Sequence, residues 1–387
     1  FTLYPGTNLI KTRTSPNGNV WTSADLSTGK TDLFSYALTG KWQITPDFSL
    51  KSEAVYQKSE FDGTFLAART RSGYWDQVSM TMDFNANDGV PSLRYNGWDP
   101  NNDANWYLWN LYDNANHDEG DAWTLKEEGV INVNWAGIKR LKFGGYYDVR
   151  GASTRNRSQA REDLQNEGGW NPVPMNTLPR AAYNNITGFF DGRADIPTSW
   201  LAIDTDYLHA NADTFRTIWH LPTSDQLQMQ EVWNVEETTL ALYLQADQFS
   251  VDIGGHKLSG QFGLRFVDID TEIAFGGNSA NPSISKVLPS ASFSFEITKD
   301  FIARAAYGET IRRPGFGDLN PTINYVGDLS NIGYGTASSG NPNLKATESK
   351  NIDISLEYYF DESSMVHLTG FRREIEGLVV PFRKRIT

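Results

Sequence analysis

The sequence contains no cysteine, which excludes a disulfide scaffold and a thiolate metal site. It has no run of about 18 consecutive apolar residues, so we expect no transmembrane helix. No charged segment followed by an apolar one opens it, so we also expect no signal peptide. Basic residues are in the minority, because 34 Lys and Arg stand against 47 Asp and Glu. The resulting net charge of −13 makes the chain a poor partner for nucleic acid.

Catalytic signatures are absent as well. The sequence has no HExxH, no GxSxG and no phosphate-binding loop, and its five histidines show no metal-ligand spacing. We therefore expect neither an enzyme nor a metal or cofactor site. A glycoside hydrolase needs only two carboxylates about 5–10 Å apart, a spacing that sequence does not reveal. A soluble all-β carbohydrate-active protein therefore stays open as an alternative.

Apolar residues mostly alternate with polar ones, which is typical of strands. In the segment 240–244, Leu240, Leu242 and Leu244 share a face, and the segments 258–266 and 352–360 repeat this pattern. The alternation predicts ten strands in five pairs. Their approximate ranges are 33–44 and 49–61, 124–136 and 139–153, 236–248 and 257–275, 284–298 and 301–313, and 346–360 and 363–379.

The connections between these strands are asymmetric. Links within a pair are short, whereas the links 62–123, 154–235 and 314–345 between pairs are long. Short turns at one end and long loops at the other are typical of an outer-membrane barrel. The strands are also long enough to span a bilayer, which needs about 9–11 residues per tilted strand. We therefore predict an all-β chain forming part of a transmembrane antiparallel β-barrel with long extracellular loops.

Several ordered motifs resemble one family. They are Glu237-Thr-Thr-Leu-Ala-Leu-Tyr-Leu-Gln245, Ala305-Ala-Tyr-Gly-Glu-Thr-Ile-Arg-Arg-Pro-Gly-Phe-Gly-Asp-Leu319, Gly340-Asn-Pro-Asn-Leu-Lys345 and Leu356-Glu-Tyr-Tyr-Phe360. In this order they resemble the late barrel of a TonB-dependent outer-membrane receptor. Earlier segments, Asp83-Phe84, Val90-Pro-Ser-Leu93 and Leu141-Lys-Phe-Gly144, resemble the subgroup of Caulobacter- and Xanthomonas-type bacteria.

The resemblance implies a 22-stranded barrel in the outer membrane of a Gram-negative bacterium, filled by an N-terminal plug and driven through TonB. It also implies contacts with outer-membrane lipid and lipopolysaccharide. Neither a plug nor a TonB box is visible in the sequence, so we expect residues 1–387 to be an internal part of the barrel domain. TonB would then act through the plug region that is missing here. A passive porin-like channel is the alternative within the membrane.

The long loops are the expected place for ligand, since such a transporter performs no bond chemistry. Flat aromatic rings beside amides and carboxylates suit sugar rings and their hydroxyls. The candidate residues in loops 62–123 and 154–235 are Trp98, Asp103, Trp106, Tyr107, Trp109 and Trp170. These aromatic residues would equally suit a small core within folded loops. We expect cargo that is small and sugar-like.

The charge of the two long loops indicates that this cargo is neutral. Loop 62–123 has ten acidic residues against three arginines, and loop 154–235 has ten against six. An acidic mouth disfavours anionic cargo and tolerates a neutral oligosaccharide. Polar residues on the barrel strands should line the lumen or its rim. We select Arg265, Arg304, Arg312 and Glu357 for that role.

Overall fold

The computed structural model describes residues 1–73, 78–87, 89–161, 173–327, 335–361 and 363–385. Strands account for 68% of the described residues and helices for 8%, which confirms the all-β prediction. The strands are β1 (Thr2–Leu3), β2 (Ile10–Gly18), β3 (Trp21–Thr45), β4 (Phe48–Ser72), β5 (Val78–Asn87), β6 (Val90–Tyr95), β7 (Trp106–Trp135), β8 (Ile138–Arg161), β9 (Tyr183–Ile186), β10 (Trp200–Ile203), β11 (Gln230–Ile253), β12 (His256–Phe275), β13 (Asn278–Ala280), β14 (Ser283–Glu296), β15 (Phe301–Arg312), β16 (Asn324–Gly327), β17 (Gly335–Ser338), β18 (Thr347–Tyr359) and β19 (Met365–Glu376).

The helices are few and short. They are α1 (Thr205–Ala210), α2 (Ala212–Ile218), α3 (Phe316–Leu319) and four 3-10 turns, Asp103–Asn105, Met175–Thr177, Arg180–Ala182 and Phe189–Gly192. None of the helices in the described ranges has the length and apolar character that crossing a bilayer demands.

Ten strands form one continuous antiparallel ladder. Their hydrogen-bonded order is β19-β18-β15-β14-β12-β11-β8-β7-β4-β3, and β13 adds to β12 as an eleventh strand. Each of the ten predicted strands overlaps one strand of this ladder. In the described part of the chain, β3 and β19 are its edges.

Several strands continue well beyond the predicted ranges. β4 extends to Ser72, β7 begins at Trp106 and β8 reaches Arg161, so parts of the predicted loops 62–123 and 154–235 are strand. Apolar residues follow one another along these extensions, as in the segments 65–68 of β4 and 106–109 of β7, and Leu66, Ala67 and Leu108 are buried. Threonine hydroxyls also pair across them, as Thr22 and Thr70 do at 2.6 Å. A prediction from apolar alternation stops where the alternation stops, although the backbone ladder continues.

The chain divides into two compact units. Unit 1 comprises residues 1–30, 61–117 and 156–230, and unit 2 comprises residues 31–60, 118–155 and 231–387. Unit 1 has a conventional core. Fifteen buried side chains form it, with Trp106, Phe215 and Trp219 as the largest. They come from β3, β4, β7, β10 and the segments that hold the short helices. Several aromatic residues of the predicted loops 62–123 and 154–235 are therefore buried, namely Trp106, Trp109, Tyr183, Phe215 and Trp219.

Unit 2 has the opposite distribution. Leu240, Leu242 and Leu244 of β11 are 40%, 51% and 57% exposed, whereas Ala241 between them is 2% exposed. The register sets Leu244 beside Leu264 of β12. A broad apolar face of this kind is costly in water and suits lipid. The small buried clusters of unit 2 lie on the other side of β11 and β12, around Ala241, Val267 and Ile269.

Candidate ligand-binding site

A cleft of about 690 Å³ lies in unit 1. One wall is the first part of β3, Val20–Asp25, and the opposite wall is the hairpin of β9 and β10. The aromatic, amide and carboxylate side chains that line it are Trp21, Asp25, Tyr95, Trp106, Asn184, Trp200 and Asp204, and Thr22, Ser23 and Thr205 add hydroxyl groups. The cleft therefore offers several aromatic surfaces together with an amide and two carboxylates.

The aromatic side of the cleft is held by ring packing. Trp98 packs edge-on against Trp106, with ring centroids 5.1 Å apart, and against Tyr95 at 5.0 Å. The indole nitrogen of Trp106 donates to the carbonyl of Pro100 at 2.9 Å. Because Trp106 is fully buried, it fixes the base of this wall, and its neighbours present the accessible surface. Trp200 packs on Phe189 at 5.2 Å.

The polar side of the cleft is organised by Asp204, which caps helix α1. Its Oδ1 accepts from the backbone N–H of Tyr207 at 2.7 Å, and its Oδ2 accepts from the side-chain amide of Asn184. A capping carboxylate fixes the helix start, since it satisfies an N–H group that has no helical partner. The amide and the carboxylate are thereby held in fixed positions beside the aromatic wall.

Asp103 is held just behind the cleft. Its Oδ2 accepts from the hydroxyl of Tyr183 at 2.7 Å, and Tyr183 is 5% exposed. Burial raises the pKa of Tyr183, and the hydrogen bond to Asp103 raises it further. This pair connects the start of β9 to the 3-10 turn that precedes β7.

A buried ion cluster supports the rest of unit 1. Asp113 of β7 accepts from Arg216 at 2.7 Å, Gln159 at 2.5 Å and Arg157 at 2.9 Å. Burial alone raises the pKa of Asp113, but the hydrogen bonds from Arg216, Gln159 and Arg157 outweigh it, so this pKa lies below its ordinary value. Arg216 also donates to Asp213 of the same helix at 2.8 Å. The shared carboxylate of Asp113 ties helix α2 to strands β7 and β8.

The predicted ligand residues have different surroundings. Trp106 lines the cleft, Trp98 packs against Trp106, and Asp103 accepts a hydrogen bond from Tyr183. Tyr107 is half-buried and forms an isolated bridge with Pro174, whereas Trp109 is 9% exposed and has the guanidinium of Arg71 4.1 Å from its ring. Trp170 lies outside the described residues.

Sequence reasoning did not select Trp21, Trp200 or Asn184, which line the cleft. Trp21 precedes the first strand that apolar alternation predicted, so nothing placed it near a loop. Trp200 lies in the short apolar strand β10, in which Leu201, Ala202 and Ile203 are buried. The position of Trp200 at the start of this short apolar strand was the sequence feature that could have identified it.

The selected lumen residues lie in unit 2. Arg304 donates to Glu357 at 2.9 Å, and the hydroxyl of Tyr359 donates to the same carboxylate at 2.9 Å. Arg265 of β12 is opposite Tyr243 of β11. Arg312 is exposed at the end of β15. The structure brings Arg304 and Glu357 together and gives the two other arginines separate surroundings.

A second ionic centre of unit 2 was not predicted. Glu237 of β11 is 3% exposed and pairs with Arg150 at 2.6 Å and with Arg313. Thr271 also donates to it, at 3.3 Å. The guanidinium of Arg150 lies 4.9 Å from the ring of Phe316. Alternation on β11 places Glu237 on the face opposite Leu240, which was the signal for this centre.

The described residues contain no group of three or more His, Cys, Asp or Glu side chains suited to hold a metal ion. In each of the ionic centres above, the carboxylate pairs with arginine and accepts hydrogen bonds from neighbouring side chains.

Comparison with known proteins gives a family and several remote structural likenesses. The family model described as "TonB dependent receptor-like, beta-barrel" matches residues 55–385. The alcaligin outer-membrane receptor FauA of Bordetella pertussis is 12% identical with a TM-score of 0.29, covering 94% of this chain and 50% of its own. A mutant of the ferric enterobactin receptor PfeA of Pseudomonas aeruginosa is 14% identical with a TM-score of 0.35, covering 90% and 43%.

The siderophore receptor PirA of Pseudomonas aeruginosa is 13% identical with a TM-score of 0.32, covering 89% of this chain and 46% of its own. Likenesses with TM-scores this low carry no argument about ligand. The chain spans about half the length of the solved receptors it matches. No curated protein sequence matches it. The family model covers most of the chain, and the chain therefore belongs to the TonB-dependent receptor-like β-barrel family, whose members are barrels of the Gram-negative outer membrane.

Proposed function

We propose that residues 1–387 are part of the barrel wall of a TonB-dependent transporter that binds a nutrient and imports it across the outer membrane. Family membership over residues 55–385 is the observation that carries this proposal. In the proposed whole receptor, a plug supplied by other parts of the protein responds to TonB. The apolar face of unit 2 meets outer-membrane lipid, and lipopolysaccharide lies beside its outer rim. The Caulobacter- and Xanthomonas-type subgroup remains our proposal for its closer relatives.

We infer that the nutrient is neutral and sugar-like, and that the unit 1 cleft binds it. Trp21 and Trp200 offer aromatic faces for the C–H surface of a sugar ring. Asn184 and Asp204 offer hydrogen-bonding groups for its hydroxyls. Apolar walls with a few fixed polar groups are what small-molecule sites generally need. Of the predicted residues, Trp98 supports the wall beside Tyr95 and Trp106 supports it from beneath.

Charge supports a neutral ligand at this cleft. Asp25 and Asp204 line it without a basic side chain among the lining residues. An anionic ferric chelate would meet like charge on approach, whereas a neutral oligosaccharide would not. Family membership also removes the support for a soluble carbohydrate-active protein.

The ligand proposal is tested by calorimetry on the full-length receptor in detergent, with a panel of neutral oligosaccharides and ferric chelates. We expect at least one neutral oligosaccharide to bind, and Trp200→Ala to weaken it by about tenfold, since an aromatic contact of this kind contributes on the order of 1 kcal/mol. Trp135→Ala is the matched control, because Trp135 is an exposed tryptophan of unit 2. Tight binding of an anionic ferric chelate with no glycan binding would refute the sugar-like ligand.

Active import is tested separately from ligand identity. Uptake of the bound oligosaccharide by cells should stop when TonB is deleted or the proton-motive force is dissipated, while binding to the cells persists. Uptake that continues at the same rate under both conditions would establish a passive porin-like channel instead.

A further inference from the structure

A second pocket, of about 800 Å³, lies in unit 2 where strand β15 ends. We name it the Arg312 pocket. Arg312 lines it together with helix α3, the ends of the hairpin β16–β17 and the segment 338–341. Apart from Arg313, which pairs with Glu237, its lining residues belong neither to the cleft in unit 1 nor to the Glu237 centre.

The wall of the pocket is fixed by backbone contacts. The N–H of Gly340 donates to the carbonyl of Asn320 at 2.7 Å, and the N–H of Asn341 donates to that of Asp318 at 2.8 Å. A Cβ atom on Gly340 would lie 2.4 Å from the Asp318 carbonyl oxygen, so only glycine allows this approach. The two segments that bear the polar lining are thus held together rigidly.

Arg312 supplies the pocket with a positive charge that no described acidic residue pairs with. Its side chain is exposed and makes no ion pair or hydrogen bond with any residue of the described ranges. The neighbouring Arg313 is paired with Glu237. Asp318 is the acidic residue of the lining, and its Oδ2 accepts from the N–H of Gly315 at 3.1 Å, at the start of helix α3.

Two amide side chains of the pocket, Asn320 and Asn341, present donor groups to it. The Oδ1 of Asn320 accepts from the N–H of Thr322 at 3.0 Å, and the Oδ1 of Asn341 accepts from that of Asn343 at 3.0 Å. Both side chains therefore have their oxygens occupied, while their NH₂ groups donate to no acceptor in the described part of the chain. Two carboxamide donors and one guanidinium in a shared lining favour a ligand rich in acceptors.

We propose that the Arg312 pocket binds the carboxylate of an acidic sugar. The planar guanidinium matches a carboxylate with two parallel hydrogen bonds, and the amides of Asn320 and Asn341 suit the ring oxygens and hydroxyls beside it. The site is separate from the unit 1 cleft in its residues and in its ligand charge. It stands or falls independently of the neutral ligand proposed there.

The direction of the charge effect makes the proposal testable. The chain as a whole has a net charge of −13, so general electrostatics predict weaker binding of a uronate than of its neutral counterpart. A preference for the uronate therefore requires a local cation. Trigalacturonate and the same trisaccharide with its carboxyl groups reduced to alcohols form the matched pair of probes.

The experiment is calorimetry on the full-length receptor in detergent at low salt. We expect trigalacturonate to bind at least about tenfold more tightly than the reduced trisaccharide, since a hydrogen bond to a charged group contributes about 1.5–3 kcal/mol. Arg312→Gln should abolish that preference and Arg312→Lys should restore part of it. Arg372→Gln is the control, because Arg372 is an exposed arginine paired with Glu374.

Equal affinity for the two probes, no binding of trigalacturonate, or a preference that survives Arg312→Gln would each overturn the proposal. Unchanged heat-modifiable migration of the Arg312 variants checks that they fold. Loss of neutral oligosaccharide binding in Trp200→Ala reports on the unit 1 cleft, so failure of the two sites can be told apart.

Discussion

The two units of this chain differ in whether their large apolar side chains are buried or exposed. Unit 1 buries Trp106, Phe215 and Trp219 completely, as a water-soluble domain does. Unit 2 leaves Leu244 and Leu264 more than half exposed and buries Ala241, Val267 and Ile269 on the other face. One ladder of strands serves both, so the surroundings of each part, rather than its secondary structure, determine which residues face outward.

The largest effect on the contrast between the units is expected when the carboxylate at the centre of the unit 1 ion cluster is removed. Asp113→Ala leaves Arg216 and Arg157 buried without their shared carboxylate. Breaking a buried pair in this way costs about 3–5 kcal/mol. We expect unit 1 to become sensitive to protease and to lose ligand binding, while the apolar face of unit 2 still inserts into lipid.

Limited proteolysis of the receptor in detergent, followed by mass spectrometry, measures this effect. Asp225→Ala is the control, because Asp225 is exposed in the same unit and accepts only from Thr223 among its described neighbours. Equal protease resistance of the two variants would mean that the cluster does not support unit 1.

The next largest effect is expected in unit 2. Leu244→Asp places a carboxylate on the apolar face, beside Leu264, where a charge is costly, although an Asp costs less than the about 2–4 kcal/mol of an Arg or Lys at mid-bilayer. Gln245→Asp places the same group on the opposite face, beside the amide of Gln261. We expect the first variant to fold poorly into lipid vesicles and the second to fold as well as the unchanged protein.

Heat-modifiable migration on gels, titrated with urea in lipid vesicles, compares these two neighbouring variants. If both fold equally well, the face that carries Leu244 is not in contact with lipid, and the contrast between the units loses its physical basis.

The smallest expected effect concerns pH and is confined to unit 1. Hydrogen bonds from the hydroxyl of Ser224 and from Arg216 lower the pKa of Asp213 from 3.8 to about 2. A lowered folded-state pKa means that the contribution is complete above about pH 4 and is lost as the pH falls through 2. The backbone N–H of Ser224 donates to Asp213 at 2.8 Å and reports on this contact.

Hydrogen exchange at the Ser224 amide should therefore accelerate, relative to the intrinsic rate, as the pH falls from about 4 toward 2. Asp213→Asn should remove that pH dependence. Protection that stays constant down to pH 2 would show that the carboxylate does not hold this turn.

The same contrast explains which parts of the fold and of the site could be predicted from the sequence. Apolar alternation located the strands of unit 2, because lipid enforces a strict period on residues such as Leu240 and Leu242. The extensions of β4 and β7 were missed, since consecutive apolar residues such as Leu66, Ala67 and Ala68 interrupt the alternation there. Trp106 and Trp98 were selected as ligand residues, but sequence could not separate a wall residue from its buried support. Glu237 and Arg313 meet across 76 positions, which no local pattern reveals.

The central claim is that unit 2 faces lipid with alternate residues of its strands. Single cysteines introduced at positions 240 to 245 would each carry a spin label, and residues 1–387 contain no other cysteine that would take one. In lipid vesicles, the account predicts that labels at 240, 242 and 244 collide with oxygen dissolved in lipid, and that labels at 241, 243 and 245 do not. Equal collision rates at all six positions would contradict it.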